Sequence, residues 1–304
     1  MLTHPRGPAG IVLGVGIATV DIIHEVAAYP AEDDEIRALA EDRRRGGNVA
    51  NSLVILSQLG RRCRWVGTLA DDAGADLILA DLARFGVDTS AAVRVQAATT
   101  PTSFVLSSRA SGSRTIVHYR DLPELDAESF DRVSLADLAW VHFEGRHPDA
   151  TRRMIERVMH EAPGLPISLE LEKPRTGIED LLRGPRILMA SRPFAIAQGF
   201  DEAEPFLVAL AERSDATLIT LTWGARGAYF LDRGGSIGRV PATPPSQVVD
   251  TLGAGDVFNA GLIDGLLRGL SAPAAVEAAV RLAGRKCAHR GLVVRPDAED
   301  AGTD

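Results

Sequence analysis

The sequence predicts an α/β domain built on a mostly parallel sheet with helices on both faces, accompanied by a small side sheet. Three observations carry this expectation. From residue 138 onward, short apolar runs alternate with helical patterns, the signature of βαβ units. Several of the strand-like runs, beginning with Ile11-Val12-Leu13-Gly14-Val15-Gly16, are apolar throughout, as parallel strands covered on both faces are. Finally, strand-like segments within 18–45 and 101–120 are not separated by helices of their own, so they group as a separate antiparallel sheet.

The elements follow in order. Tyr29-Pro30 breaks any helix over 23–45, and Glu35-Ile36-Arg37-Ala38-Leu39-Ala40 alternates, so two short strands are expected there. Gly46-Gly47-Asn48-Val49-Ala50-Asn51-Ser52 opens a helix that runs to Leu59 and stops at Gly60. Arg64–Leu69 reads as a core strand, and Asp71–Phe85 as an amphipathic helix closed by Gly86. Ser103–Ser108 and Arg114–Tyr119 flank Ser111-Gly112-Ser113, a hairpin signal. Strands at 138–144, 167–171, 186–190 and 217–222 then alternate with helices at 148–160, 177–182 and 202–213. A hairpin (228–231, 236–240) precedes two final helices near 254–269 and 272–289. No linker, repeat or low-complexity segment interrupts the chain, and a frayed end is expected over 297–304.

Composition narrows the function. The 304 residues are 45% hydrophobic and 24% charged, enough for one large domain with a substantial core. A net charge of −8 argues against nucleic acid or an anionic membrane as partner. Lys173 and Lys286 are the only lysines, so no G-x-x-x-x-G-K-[ST] loop exists and a P-loop kinase is excluded. Cys63 and Cys287 are too few for a disulfide framework. With no signal-peptide pattern and no apolar run of about 18–20 residues, a cytoplasmic protein is expected.

The chemistry concentrates in Asp250-Thr251-Leu252-Gly253-Ala254-Gly255-Asp256. A Gly-rich turn opening a helix leaves backbone N–H groups free and adds partial positive charge, a ready site for phosphate. Asp256 beside such a turn is suited to take a proton from an attacking hydroxyl; the competing reading is a helix N-cap. Asn48 and Asn51, three apart on a helix face after Gly47, offer donors and acceptors suited to a polyhydroxylated sugar; Asn48 as an N-cap is again the competitor. Asp21 lies just past the first strand, where ligands of open α/β sheets bind, although an acid there also serves as a turn residue. Arg114 is placed to reach a phosphate or to remain solvated.

These strings resemble those of the ribokinase-like (phosphofructokinase-B) sugar kinases over nearly the whole chain. Within that family they are most similar to the ketohexokinase (hepatic-type fructokinase) branch. Glu144-Gly145-Arg146, Glu170-Leu171-Glu172-Lys173-Pro174-Arg175 and Ala283-Gly284-Arg285-Lys286-Cys287 add to the match. The resemblance implies one ribokinase-like three-layer α/β/α domain spanning 1–304, with a β-sheet lid. It implies an ATP-dependent kinase that phosphorylates a primary hydroxyl of a ketose or furanose sugar such as fructose.

Roles follow from the same resemblance. Asp256 would be the base, with Gly253, Ala254 and Gly255 as anion hole and Arg114 on the transferred phosphate. Asp21, Gly47, Asn48, Asn51 and Ser113 would hold sugar. Gly224, Ala225, Arg226, Gly227 and Thr251 would line the nucleotide site with the anion turn. Asp250 would hold a potassium ion, and Glu170 and Glu172 would order magnesium-bound water; a solvated or salt-bridged pair is the plain alternative for these two glutamates. Asp33 would reach the partner's sugar in a homodimer joined through the lids, whose outer face is expected to include Ile22, Ile36, Leu39, Val105 and Val117. Two departures stand out: Ser113 replaces an Asn that touches ketose in ketohexokinases, and no Asn-x-x-Glu motif occurs near Ser191–Phe194. Kinases for ribose, nucleosides or 2-keto-3-deoxy sugar acids are the alternatives, the last disfavoured because the nameable pocket residues are neutral or acidic. A non-catalytic sugar-sensing protein is a further one.

Overall fold

The structure is a computed structural model that describes residues 10–293. The 297–304 segment lies outside the described residues. The first half of the chain runs β1 (Ile11–Val15), β2 (Thr19–Val26), β3 (Ala40–Gly46), α1 (Asn48–Gln58), β4 (Arg62–Val66), β5 (Thr68–Leu69) and α2 (Ala73–Arg84). It continues through β6 (Val93–Arg94), β7 (Thr102–Ser108), β8 (Arg114–Tyr119), α3 (Ala127–Phe130), β9 (Leu138–Glu144) and α4 (Pro148–Glu161). The second half adds β10 (Ile167–Leu171), β11 (Ile187–Ser191), α5 (Arg192–Ala197), α6 (Ala203–Glu212) and β12 (Leu218–Thr222). It ends with β13 (Ala228–Asp232), β14 (Ile237–Val240), α7 (Ala254–Leu267) and α8 (Ala272–Lys286).

Eight strands form the central sheet in the order β14-β13-β12-β11-β10-β9-β1-β4. The six from β12 to β4 are parallel, and β13 and β14 close one edge as antiparallel hairpin strands. Side-chain alternation splits each strand between two cores. Val12, Trp65, Trp140 and Met189 pack with α1, α2, α7 and α8 on one face. Leu13, Val141, Leu169 and Ile219 pack with α3, α4 and α6 on the other. Three layers result, as the apolar strand runs predict.

The second sheet has the order β3-β2-β7-β8. Only its outer pairs are antiparallel; β2 and β7 run parallel, which corrects the all-antiparallel expectation. The cause is topological. Both strands leave the body in the same direction, β2 straight after β1 and β7 after the long passage through α1 and α2, and such a crossover permits parallel pairing.

Register fixes the faces of this lid. Asp21–Ser103–His118 and Ile23–Val105–Ile116 are cross-strand rows on one side; Ile22–Phe104–Val117 lies on the other. Val105 is buried and Ile22 packs against the core, so neither belongs to an outer apolar surface as expected. The exposed apolar residues of the lid are Phe104, Val117 and Tyr119, with Ile116 on the cavity side and Tyr29, Ile36 and Leu39 from the segment joining β2 to β3.

Candidate active site

Two helix N-termini meet beneath the lid. At α1 the cap residue is Gly47, with φ 102°, and a Cβ there would lie 2.2 Å from the Ile17 carbonyl oxygen. Only glycine lets α1 start this close to the β1–β2 turn. At α7 the cap is Gly253, with φ 81°, so Asp256 is the third residue of the helix. Neither Asn48 nor Asp256 is a cap, and the competing reading of each is thereby set aside.

Asp256 is buried, and its Oδ2 accepts a hydrogen bond from Asn51 Nδ2 at 2.6 Å. Ser52 Oγ donates to the Asp256 carbonyl at 3.0 Å, which locks α1 against α7. Asn48 Nδ2 reaches Glu170 Oε1 (3.2 Å) and Glu172 Oε2 (3.0 Å). Asn259, one turn beyond Asp256, donates to Glu170 Oε1 at 3.0 Å. Glu144, at the end of β9, accepts the Ile17 N–H at 3.1 Å. Asp21 is held by Thr19 Oγ1 at 3.0 Å and faces the Gly46 backbone, where a Cβ would collide with its carboxylate.

These groups line one cavity of about 550 Å³, bounded by Asp21, Asn48, Asn51, Glu170, Asp256 and the 251–255 turn. Burial raises the Asp256 carboxyl well above the ordinary carboxylate range, with Glu172 and Glu144 pushing the same way; the Asn51 hydrogen bond and the charge of Arg45 act against it. Glu170 is raised well above its usual value by burial, then by the charges of Asp256, Glu144 and Glu172. A proton held between such carboxylates belongs to the group rather than to one member.

Glu170 is buried, and among the described residues it forms no ion pair and its Oε2 has no hydrogen-bond partner. That orphaned oxygen sets Glu170 apart from a solvated or salt-bridged surface acid, whereas Glu172 is part-exposed and pairs with Lys173 at 3.6 Å. Among the described residues no cluster of three or more His, Cys, Asp or Glu side chains could grip a metal directly. Glu170 and Glu172 instead fit contact through bound water, the habit of Mg²⁺.

Asp250 does not fit a potassium ion. Its Oδ2 pairs with Arg44 (3.1 Å) and Lys286 (3.2 Å), and Oδ1 accepts the Leu252 N–H at 2.8 Å. Lys286 Nζ also donates to the Asp250 carbonyl at 2.7 Å. The buried ammonium thus takes the oxygens proposed for a cation. Burial alone would raise the Asp250 carboxyl, but Lys286 and Arg44 outweigh it and hold it below its usual value.

Other expected residues fall outside the cavity. Ser113 sits exposed at the β7–β8 turn, bonded to Ser111 Oγ (2.7 Å) and Tyr29 Oη (3.3 Å). It misses the cavity because it belongs to that turn, one residue before the strand that carries Arg114 to the cavity wall. Arg114 Nη1 donates to Thr251 Oγ1 at 2.8 Å, joining the lid to the 251–255 turn. Asp33 is exposed at φ 67°, away from its own chain's cavity. Gly224, Ala225, Arg226 and Gly227 form a turn after β12; Thr222 lines the cavity but they do not.

The structure also adds wall residues that the motifs left unassigned: Glu144, Arg146, Lys173, Arg175, His118 and Asn259. The pocket is therefore not only neutral and acidic, and the argument against an acidic acceptor loses its ground. Glu144 carried a signal, since it is an acid at the carboxyl end of a core strand. Arg175 had none, because an Arg after Lys173-Pro174 reads as a solvated loop residue.

A three-layer α/β/α body with a β lid over a carboxylate at a helix N-terminus is the architecture of ribokinase-like kinases. The solved structure of Arabidopsis thaliana ribokinase complexed with ribose and ATP superposes with a TM-score of 0.77, at 22% identity, covering 93% of this chain and 94% of that one. Ribokinase from Giardia lamblia gives 0.81 at 19% identity, with 93% and 94% covered. In sequence, mouse (Mus musculus) ketohexokinase is 37% identical over 92% of this chain and 97% of its own length. The 2-dehydro-3-deoxygluconokinase of Bacillus subtilis is 26% identical over 76% of each. The pfkB family carbohydrate kinase profile matches residues 12–297, and the chain belongs to that family. It is a carbohydrate kinase.

Proposed function

We propose that the chain, as one kinase domain with a lid formed from 18–45 and 101–120, transfers the γ-phosphate of ATP to a primary hydroxyl of a ketose in furanose form, with fructose the first candidate. The observation that carries this reading is Asp256, buried at the N-terminus of α7 and presented to the cavity by Asn51. The 37% identity to a ketohexokinase supports the choice of sugar.

Asp21, Asn48 and Asn51 hold the ring so that one hydroxyl faces Asp256 and the 253–255 turn together. Asp256 takes the hydroxyl proton as the oxygen attacks phosphorus. The first turn of α7 stabilises the transferred phosphoryl group, with Arg114 reaching it from the lid. Glu170 and Glu172 would hold the water of a Mg²⁺ ion bound with ATP, which would supply neutralisation of phosphate charge. The lid excludes bulk water, the competing acceptor.

Release of ADP, followed by a coupled assay over a panel of sugars, tests the reading. Fructose turnover well above that of ribose, nucleosides and sugar acids is the expected result; turnover of none of them, with sugar binding retained, would favour a sensing role. One observation favours a second acceptor class. Arg146, Lys173 and Arg175 line the cavity, and burial together with the charge of Arg146 lowers the Arg175 guanidinium from its usual value. A 2-keto-3-deoxy sugar acid would meet cationic partners there.

Asn48→Ala is expected to raise the sugar KM roughly tenfold and leave the ATP KM near its starting value, because a lost sugar contact costs ~1–3 kcal/mol. Initial-rate kinetics with each substrate varied in turn checks it.

The lid is also proposed to join two copies. Phe104 and Val117 are cross-strand neighbours on its outward face, and Tyr119 and Leu39 extend the apolar patch. A two-fold contact would cover it on both copies at once and bring Asp33 of one chain toward the other's sugar. Light scattering at micromolar concentration should give a dimer, and Val117→Glu should give a monomer.

A further inference from the structure

A buried line of polar side chains leaves the active site from its back. Arg45, in the last turn of the lid strand β3, is 4% exposed. Its Nε donates to Asp81 Oδ2 on α2 at 2.7 Å, and its Nη1 donates to Asn51 Oδ1 at 2.6 Å. Asn51, 8% exposed, then donates from Nδ2 to Asp256 Oδ2 at 2.6 Å. The line Asp81–Arg45–Asn51–Asp256 thus joins the second helix to the catalytic carboxylate with no solvent between.

The direction of every bond in this line is set by Arg45. A guanidinium has donors and no acceptor. The Asn51 amide must therefore turn its oxygen to Arg45 and its NH₂ to Asp256. The flipped amide would set NH₂ against guanidinium and oxygen against carboxylate, two repulsive contacts in a buried place. Without Arg45 only the Asp256 carboxylate distinguishes the two ends of the amide, and it does so only while ionised.

We infer that Arg45 is a positioning residue for phosphoryl transfer: through Asn51 it fixes the donor that orients the Asp256 carboxylate, and its charge favours the ionised form that accepts the hydroxyl proton. With Oδ2 engaged by Asn51, Oδ1 is the oxygen that faces the acceptor. This rests on the reading of Asp256 as base. Asp81 anchors the far end, so the guanidinium cannot swing toward Asp256 and pair with it directly, which would remove the base from its task.

The charged groups around Asp256 decide the sign of the effect. Glu144 from β9, Glu170 from β10 and Glu172 just after β10 oppose its ionisation, and Arg45 from β3 supports it. Arg45 is itself held among Asp81, Asp256 and Asp21. Removing the cation leaves the Asn51 hydrogen bond as the remaining support against the acidic neighbours. Removing Asp81 leaves the cation uncompensated and strengthens its support.

The test is the pH profile of kcat/KM for the sugar, with fructose as probe, in Arg45→Met, Arg45→Lys and Asp81→Asn. In Arg45→Met the acid limb should move up by about one pH unit, with kcat falling more than the sugar KM rises. Arg45→Lys, which keeps the charge, should return the limb toward its original place. In Asp81→Asn the limb should move down. A role in packing alone would lower stability and leave the limb still. A folded Arg45→Met enzyme with an unmoved limb would overturn the inference; if that variant does not fold, an unmoved or rising limb in Asp81→Asn overturns it. Asp256→Asn, measured alongside, separates the two levels: undiminished turnover there removes the base, whereas lost turnover there with unmoved limbs removes only Arg45.

Discussion

Asp256→Asn should lower kcat by ~10²–10⁴ while sugar and ATP still bind, the scale of a lost general base. The replacement is close in shape, and Asn51 can still reach its side-chain oxygen, so the cavity keeps its form. What disappears is the proton acceptor. The same carboxylate predicts a pH dependence in the unaltered enzyme. A base works only when ionised, so activity present at higher pH is lost as pH falls through its pKa. Burial raises that pKa well above the usual value, and the acid limb of kcat/KM should therefore stand above the ordinary Asp range near ~3.9. Isothermal titration with each substrate, run beside steady-state kinetics, separates binding from turnover. Full turnover in the variant would take Asp256 out of the mechanism.

Gly47→Ala should damage sugar binding out of proportion to the single methyl it adds. The residue has φ 102° and ψ 125°, where side chains are strained by on the order of 1–3 kcal/mol. The added Cβ would also stand 2.2 Å from the Ile17 oxygen and 2.9 Å from the Ala18 Cα. Both are backbone atoms and cannot rotate aside. Either α1 retreats, carrying Asn48 and Asn51 with it, or the β1–β2 turn shifts Asp21. Both outcomes spoil sugar binding, so the sugar KM should rise by roughly a hundredfold or more, with a measurable fall in the thermal midpoint. Gly60→Ala is a fair control: its Cβ would meet nothing, leaving only the cost of its own φ of 86°.

Much of this architecture was legible in the sequence because its signals are local. Continuous apolar runs gave the buried strands, and glycine before polar helix starts marked α1 and α7. The competing capping readings of Asn48 and Asp256 could not be settled there, because a cap and a ligand share the same residue types at nearly the same position. The structure settles them by offset: Asn48 lies one residue beyond the Gly47 cap, and Asp256 three beyond Gly253. Ser113 lies outside the cavity because it belongs to the β7–β8 turn, one residue before the strand that carries Arg114 to the cavity wall. Asp250 and Lys286 lie 36 residues apart, and no local pattern foretells that an ammonium will occupy the carboxylate. Arg45 was hidden in Arg43-Arg44-Arg45, a run that reads as a solvated strand edge. Its burial appears only when α2 brings Asp81 across.

The packing of α1 against α7 has a consequence for how the protein is made. Asn51 and Asp256 are separated by 205 positions in the chain, and Arg44 and Asp250 by 206. At ~5–20 residues per second, a ribosome reaches α7 roughly 10–40 s after finishing α1. For that interval the α1 face that α7 will cover, with Val49, Ala50, Leu53 and Val54 among its core residues, waits for its partner. Contacts so distant in sequence also slow folding, since the loop must close before they reward it. The nascent chain is thus held without half of its core until the last helices emerge. A chain that stops short of α7 loses more than Asp256: α1 keeps the central sheet on one side but shows the apolar face that α7 covers, and such a fragment is expected to meet chaperones or proteolysis rather than to keep weak activity.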